Sequence, residues 1–341
     1  MLDLTIDIDP RVAVAAPGYT LRVLTPADAA GVVACVQSIY GDTYVHPELY
    51  DAAEIVRLNE SLQLVSVVAL DAGGAVIGHY GLERPDLGAV AETGEALVLS
   101  EHRHKHLMEA MRALVEAAAR HLKLQGIFGH AVTNYVFSQR AEERFGDTPC
   151  AISLGWSPQS FRNLDEPLQQ RMSDVLYFKY LTSPGPSAVY LPPRHRDWCV
   201  RIYQRLGTQV SIAAPSAPQI EGELSVEVKP RLQRAKIQVR NVGADSHCQL
   251  ARLASELPAQ GIEAIFLELP LNQAGTPDLC QSAEQAGFFF SGLGPCFAAD
   301  GDALRMQWLG TPLDSSLVQI QCDFSRDLLE YVTTERMRTS R

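Results

Sequence analysis

The sequence predicts an α/β protein of two domains, each an open sheet flanked by helices. Three observations predict it. The 341 residues are enough for two hydrophobic cores. Strand-like and helix-like patterns alternate through both halves. The order strand, helix, strand, helix, strand recurs over 95–155 and 235–309, a degenerate duplication at the level of fold.

In the first half a strand is expected over 19–24. Thr25 and Pro26, a cap and a first-turn proline, open a helix at about 27–40. A more polar helix follows over 47–61. Strands 64–70 and 75–82 form a hairpin around Asp71-Ala72-Gly73-Gly74, and 95–99 continues the sheet. The clearest period belongs to 104–123, where Leu107, Met108, Met111, Leu114, Val115, Ala118 and Leu122 share one helix face. Strand 127–132, helix 135–145 and strands 151–155 and 174–181 complete this half.

The boundary is the Pro/Gly/Ser-rich stretch 182–188, reinforced by Pro192 and Pro193. This sets a leader over 1–18, domains over 19–181 and 194–341, and a linker over 182–193. In the second half helices are expected at 195–206, 246–260, 277–286 and 324–336. The strands are 223–228, 235–242, 263–269, 288–293 and 303–309.

A net charge of −11 argues against a nucleic-acid partner. The seven cysteines show no CxxC spacing and read as reduced thiols. No signal pattern and no apolar run of roughly 18 residues is present, so the expectation is a cytoplasmic protein with no membrane partner.

Within this acidic chain 98–111 stands apart: an apolar strand, a turn rich in cationic and protonatable groups, then a helix start. Strand, basic amide-rich turn and helix N-terminus together suit a small anion such as a pyrophosphate. Arg103, His104, Lys105 and His106 are the candidate anion binders, and cations there oppose the helix dipole unless an anion answers them. His102, His104 and His106 are also candidate metal ligands, and Cys150 a candidate nucleophile without a histidine placed to activate it. His130 reads as a satisfied sheet residue, and Trp198, Tyr203, Trp308 and 288–290 as core or contact residues.

These residues resemble the GCN5-related N-acetyltransferase (GNAT, acyl-CoA N-acyltransferase) superfamily. Strand 96–99, the turn with Arg103 and the long helix resemble its pyrophosphate motif. Strand 127–132 leads to Thr133-Asn134, where that family often places an asparagine, and Phe145-Gly146 precedes another strand. In the second half 265–270, Asn272, 286–292 and 301–307 are similar to the family's closing elements. The layout looks like a bacterial tandem type with a degenerate second half.

The resemblance implies direct acetyl transfer from acetyl-CoA to an amine, with no covalent intermediate and no metal. It places the cofactor against Val98, Leu99, Arg103, His104, Lys105, His106, Leu107 and Asn134. Glu95 is the candidate base, with Tyr135 and Ser138 as candidate acids. The chain departs from the family pattern in three places. His104 and His106 stand where glycines are common. The helix after Asn134 reads Gln139-Arg140-Ala141-Glu142-Glu143 without the usual tyrosine. The second-half turn, Asn241 to Ser246, is not basic. The alternative reading is a non-catalytic pseudo-acyltransferase that senses a ligand or binds a protein. The acceptor, and whether the chain pairs with itself, stay open.

Overall fold

The computed structural model describes residues 16–159, 168–217 and 221–340. Most of the leader expected over 1–18 lies outside them. The chain forms two compact units. The first holds the described residues up to Gly129 together with Tyr180–Thr182; the second holds His130–Gln159, Leu168–Lys179 and the described residues from Ser183 onward. This division falls inside 19–181, not at the Pro/Gly-rich stretch.

In chain order the first unit contains β1 (Thr20–Val23), α1 (Ala29–Tyr40), α2 (Ala52–Glu60), β2 (Leu64–Leu70), β3 (Val76–Glu83), β4 (Val90–Val98) and α3 (Leu107–His121). Strand β5 (Gly126–Val132) starts here and ends in the second unit. Strands β1 to β4 pair antiparallel in sequence order, and β5 joins β4 in parallel.

Strand β2 is buried along its whole length and shows how the layers form. Its Val65, Val67 and Ala69 face Met111, Leu114, Val115 and Ala118 of α3. The alternate residues Leu64, Val68 and Leu70 face Val32 and Val36 of α1 and Ile55 of α2. Each buried valine, leucine or isoleucine stabilises the unit by roughly 1.5–3 kcal/mol.

Two helix starts differ from expectation. The helix expected over 47–61 is a 3-10 turn, Pro47–Tyr50, followed by α2. Asp51 is extended (φ −120°, ψ 109°), and its carboxylate accepts from the amides of Ala53 and Glu54, so it caps α2. Helix α3 starts at Leu107 rather than 104 because His104 and His106 are left-handed, with φ of 62° and 56°.

The second unit continues with α4 (Phe137–Arg144), β6 (Thr148–Ser157), β7 (Met172–Tyr180, whose last residue belongs to the first unit), β8 (Ser187–Val189), α5 (Arg196–Arg205) and β9 (Val210–Ile212). Then come β10 (Glu223–Lys229), β11 (Arg234–Asn241), α6 (Ser246–Ala259), β12 (Ala264–Pro270), α7 (Thr276–Gln285), β13 (Phe289–Ala298), β14 (Gly301–Leu309) and α8 (Asp323–Thr339). Its strand order is β7-β6-β13-β14-β12-β11-β10. Short strands β8, within the stretch expected as a linker, and β9 pair separately in parallel. The fold is therefore α/β, with mixed sheets and flanking helices.

Strand β4 pairs with β5, and β11, β12, β13 and β14 stand as β11-β12-β14-β13. The β4-β5 and β11-β12 pairs are both parallel. No helix among the described residues is long and apolar enough to cross a membrane.

Candidate functional site

Strand β4 carries a bulge where the chemistry concentrates. His79 of β3 pairs with Leu97 and Gly81 with Gly94, so Tyr80 alone faces both Glu95 and Ala96. Glu95 takes the left-handed conformation, φ 53°. His79 holds this geometry. Its Nδ1 lies 3.0 Å from the Glu95 carbonyl, which can only accept, so Nδ1 donates and Nε2, 2.9 Å away, accepts from the Ser66 hydroxyl. Gly81 leaves the space, since a Cβ there would lie 2.7 Å from Glu95 Oε2.

The bulge aims Glu95 inward. Its side chain is 1% exposed, and among the described residues neither carboxylate oxygen has a hydrogen-bond partner. The candidate base is thus buried rather than set at the surface. His46 faces it, with Nδ1 3.4 Å from Glu95 Oε1, 3.1 Å from Glu48 Oε1 and 3.9 Å from Glu83 Oε1. Tyr50 steadies this loop by donating to the Gly41 carbonyl at 2.7 Å and accepting from the Tyr44 amide at 3.0 Å.

Burial and then the neighbouring Glu83 charge push the Glu95 carboxyl well above the ordinary carboxylate range, with His46 opposing them. Burial works against the His46 cation. The Glu48 hydrogen bond and the charges of Glu83, Glu95 and Glu48 outweigh it and raise His46 to about 10. His79, wholly buried, is lowered to about 4. Sequence reasoning missed His46 and Glu48 of the turn at 46–50 and His79 and Glu83 of β3, two elements far apart in the chain.

The turn from Leu99 to His106 is exposed apart from half-buried Leu99 and His102. His102 pairs with Tyr19 (Nδ1 to Oη 3.1 Å), and His106 lies 3.6 Å from Glu109. The three histidines therefore do not gather as metal ligands. Arg103 donates through Nε to the Val98 carbonyl at 3.2 Å. Among the described residues, the amides of 104–109 have no acceptor; Ala110 is the first to bond back, onto the His106 carbonyl. Left-handed residues on either side of Lys105 form the kind of backbone concavity that takes an anion. The histidines thus adopt the backbone geometry for which glycine is usually chosen. Val98 and Leu107 bracket the turn from the strand end and the helix start. Register between β4 and β5 runs from Val90–Gly126 to Glu92–Phe128 and goes no further.

Asn134, Tyr135 and Ser138 belong to the second unit. Helix α4 has Val136 at its N-cap and no side-chain cap, so Asn134 does not cap it. Asn134 Oδ1 and Ser138 Oγ are buried without a hydrogen-bond partner among the described residues, and the Tyr135 ring lies 5.8 Å from Phe137. His130 is paired with Asp174 (Nδ1 to Oδ1 2.9 Å) and stacked on Trp156. Burial pushes the Cys150 thiol up, which leaves it inert.

In the second half the turn between β11 and α6 bonds part of its own backbone. The Val242 amide donates to Gln273 Oε1 at 2.7 Å and the Gly243 amide to Ser246 Oγ at 2.8 Å. The Gly222 amide donates to Asp245 Oδ1, and the Gly222 carbonyl accepts from Gln249. This segment presses so closely that a Cβ on Gly243 would sit 1.9 Å from the Gly222 nitrogen.

No protein-family model matches this chain, and no characterised protein matches it in sequence. Solved structures similar to it include an acetyltransferase of the GNAT family from Staphylococcus aureus, 15% identical, with TM-score 0.37 over 48% of this chain and 99% of that one. A Salmonella typhimurium protein assigned as an acetyltransferase and solved with acetyl-CoA is 15% identical, with TM-score 0.40 over 49% of this chain and 96% of its own. Ribosomal-protein-S5-alanine acetyltransferase from Vibrio fischeri is 13% identical, with TM-score 0.37 over 48% and 93%.

Proposed function

We propose that the chain transfers an acetyl group from acetyl-CoA directly to an amine, and that the second half of a tandem arrangement is non-catalytic. The observation that carries this reading is the run of amides over 104–109 without acceptors among the described residues, beside the cations Arg103 and Lys105. Such a turn suits the two phosphates of a CoA pyrophosphate, each oxygen taking charge-assisted hydrogen bonds.

In the reaction the amine nitrogen attacks the thioester carbonyl and the carbon–sulfur bond breaks. The amine proton passes to Glu95, directly or through a water, and the CoA thiolate takes up a proton. Tyr135 and Ser138 remain the candidate donors for that last step, and Asn134 a candidate cofactor contact. The turn at 242–246, where the Val242, Gly243 and Ser246 amides already have acceptors and no cation stands among them, supports a second half without cofactor.

Calorimetry of the full chain with acetyl-CoA tests the reading. Binding is expected, and the paired change Arg103→Ala with Lys105→Ala should weaken it by roughly a hundredfold, the worth of two charge-assisted contacts. No binding at near-millimolar acetyl-CoA overturns it. Binding with no thiol release against any amine would instead fit the non-catalytic regulator, whose motivation is the missing helix tyrosine.

A further inference from the structure

We infer that His46 Nδ1 and one carboxylate oxygen each from Glu48, Glu83 and Glu95 form a site for a divalent transition-metal ion of the manganese, iron or zinc class. The four donor atoms all lie within 4.8 Å of one another. A metal about 2.1 Å from each donor needs donors no more than about 4.2 Å apart. The three distances from His46 Nδ1, at 3.1, 3.4 and 3.9 Å, already meet this.

The second observation is Glu95 itself. It is a carboxylate with a 1% exposed side chain and two oxygens lacking hydrogen-bond partners among the described residues, aimed at the other three donors by a bulge. Burying such a group uncompensated is expensive. His46 can offer one Nδ1 proton, and its hydrogen bond goes to Glu48. A dication would meet all three carboxylates at once. His46, Glu48 and Glu83 are 27%, 28% and 22% exposed, which leaves room for an ion to enter and for water ligands.

The donor set also selects. One imidazole and three carboxylates suit manganese, iron or zinc, whereas thiolate-seeking ions find no sulfur here. The sequence had suggested no metal; the convergence from three elements changes that. The inference does not rest on acyl transfer, because it concerns binding. A filled site would occupy the Glu95 oxygens needed as a base, so the metal-loaded chain should be slow in transfer.

The test uses the full chain, freed of metal by chelation and titrated with manganese(II) chloride, with the free-ion electron paramagnetic resonance signal as readout. Manganese is the probe because seven free cysteines would confuse a zinc titration. One ion per chain is expected. Glu95→Gln and Glu48→Gln should each weaken binding by roughly tenfold or more, and Glu101→Gln, exposed and outside the cluster, should leave it unchanged. Circular dichroism checks folding, and if Glu95→Gln fails it, the half-exposed Glu48→Gln carries the test. No binding at millimolar manganese overturns the site, as does undiminished binding by the folded variants. Spermidine binding that is lost in Glu95→Gln, with no manganese bound, would assign the cluster to an organic ammonium and also overturn it.

Discussion

The turns that open α3 and α6 each follow the first strand of a parallel pair, yet they differ in how their amides are used. At α3 the amides over 104–109 are left without acceptors among the described residues, and two left-handed histidines hold them in place. At α6 Gln273 takes the Val242 amide and Ser246 the Gly243 amide. The strands leading in differ as well. The bulge of β4 buries Glu95, whereas the bulge of β11 holds Arg240 exposed and ion-paired with Glu223. Topology therefore supplies the frame, and a few local acceptors decide whether a helix start can take an anion.

The strongest way to break this comparison is at the two bulges. Glu95→Gln should lower acetyl transfer by about a hundredfold or more while leaving acetyl-CoA affinity unchanged. Arg240→Gln should alter neither, and steady-state rates with calorimetry read both. A catalytic loss from Arg240→Gln would show that the second half takes part.

Gly243→Ala comes next. With a Cβ aimed at the Gly222 nitrogen, it should destabilise the fold by about 2 kcal/mol in denaturant titration. Hydrogen exchange should quicken at Gly222, whose amide loses its Asp245 acceptor as the segment is pushed off. Ser246→Ala removes the acceptor of the Gly243 amide and should destabilise by about 1 kcal/mol without creating an acetyl-CoA site.

The smallest effect has the opposite sign. His106→Gly places glycine at a left-handed N-cap and should stabilise by about 0.5–1 kcal/mol, net of glycine's extra entropy when unfolded. A clear loss of stability instead would mean that the imidazole contributes more than its backbone.

Much of the frame could be read from the residues because it follows from period and punctuation. The α3 face at Met111, Leu114, Val115 and Ala118 is buried as its spacing requires. The hairpin at Asp71 forms because its carboxylate accepts from the amides of Gly73 and Ala75. Strand β4 began earlier than expected, since small and polar residues over 90–94 hide its alternation. The helix break at Asp51 is a competition between helix interior and cap that periodicity does not resolve.

The site was less legible. Arg103, Lys105 and Glu95 were visible as chemistry beside a strand end. Their surroundings were not, because His46, Glu48 and Glu83 meet Glu95 only after α1, β3 and β4 have packed. That the two histidines would sit in the left-handed region was also hidden, since glycine is the residue whose identity announces it.

The bulge at Glu95 also acts on the strand as a shift of reading frame. Ala91 points to the α3 side, but Leu97, an even number of residues later, points to the α1 side, while Val98 returns to α3. Without the extra residue that parity could not change, and either Ala91 or Leu97 would meet the wrong layer. The position can therefore lose its carboxylate by substitution while the packing stands. It cannot be deleted without turning the end of β4 inside out, so the insertion that aims the acid is also built into the core.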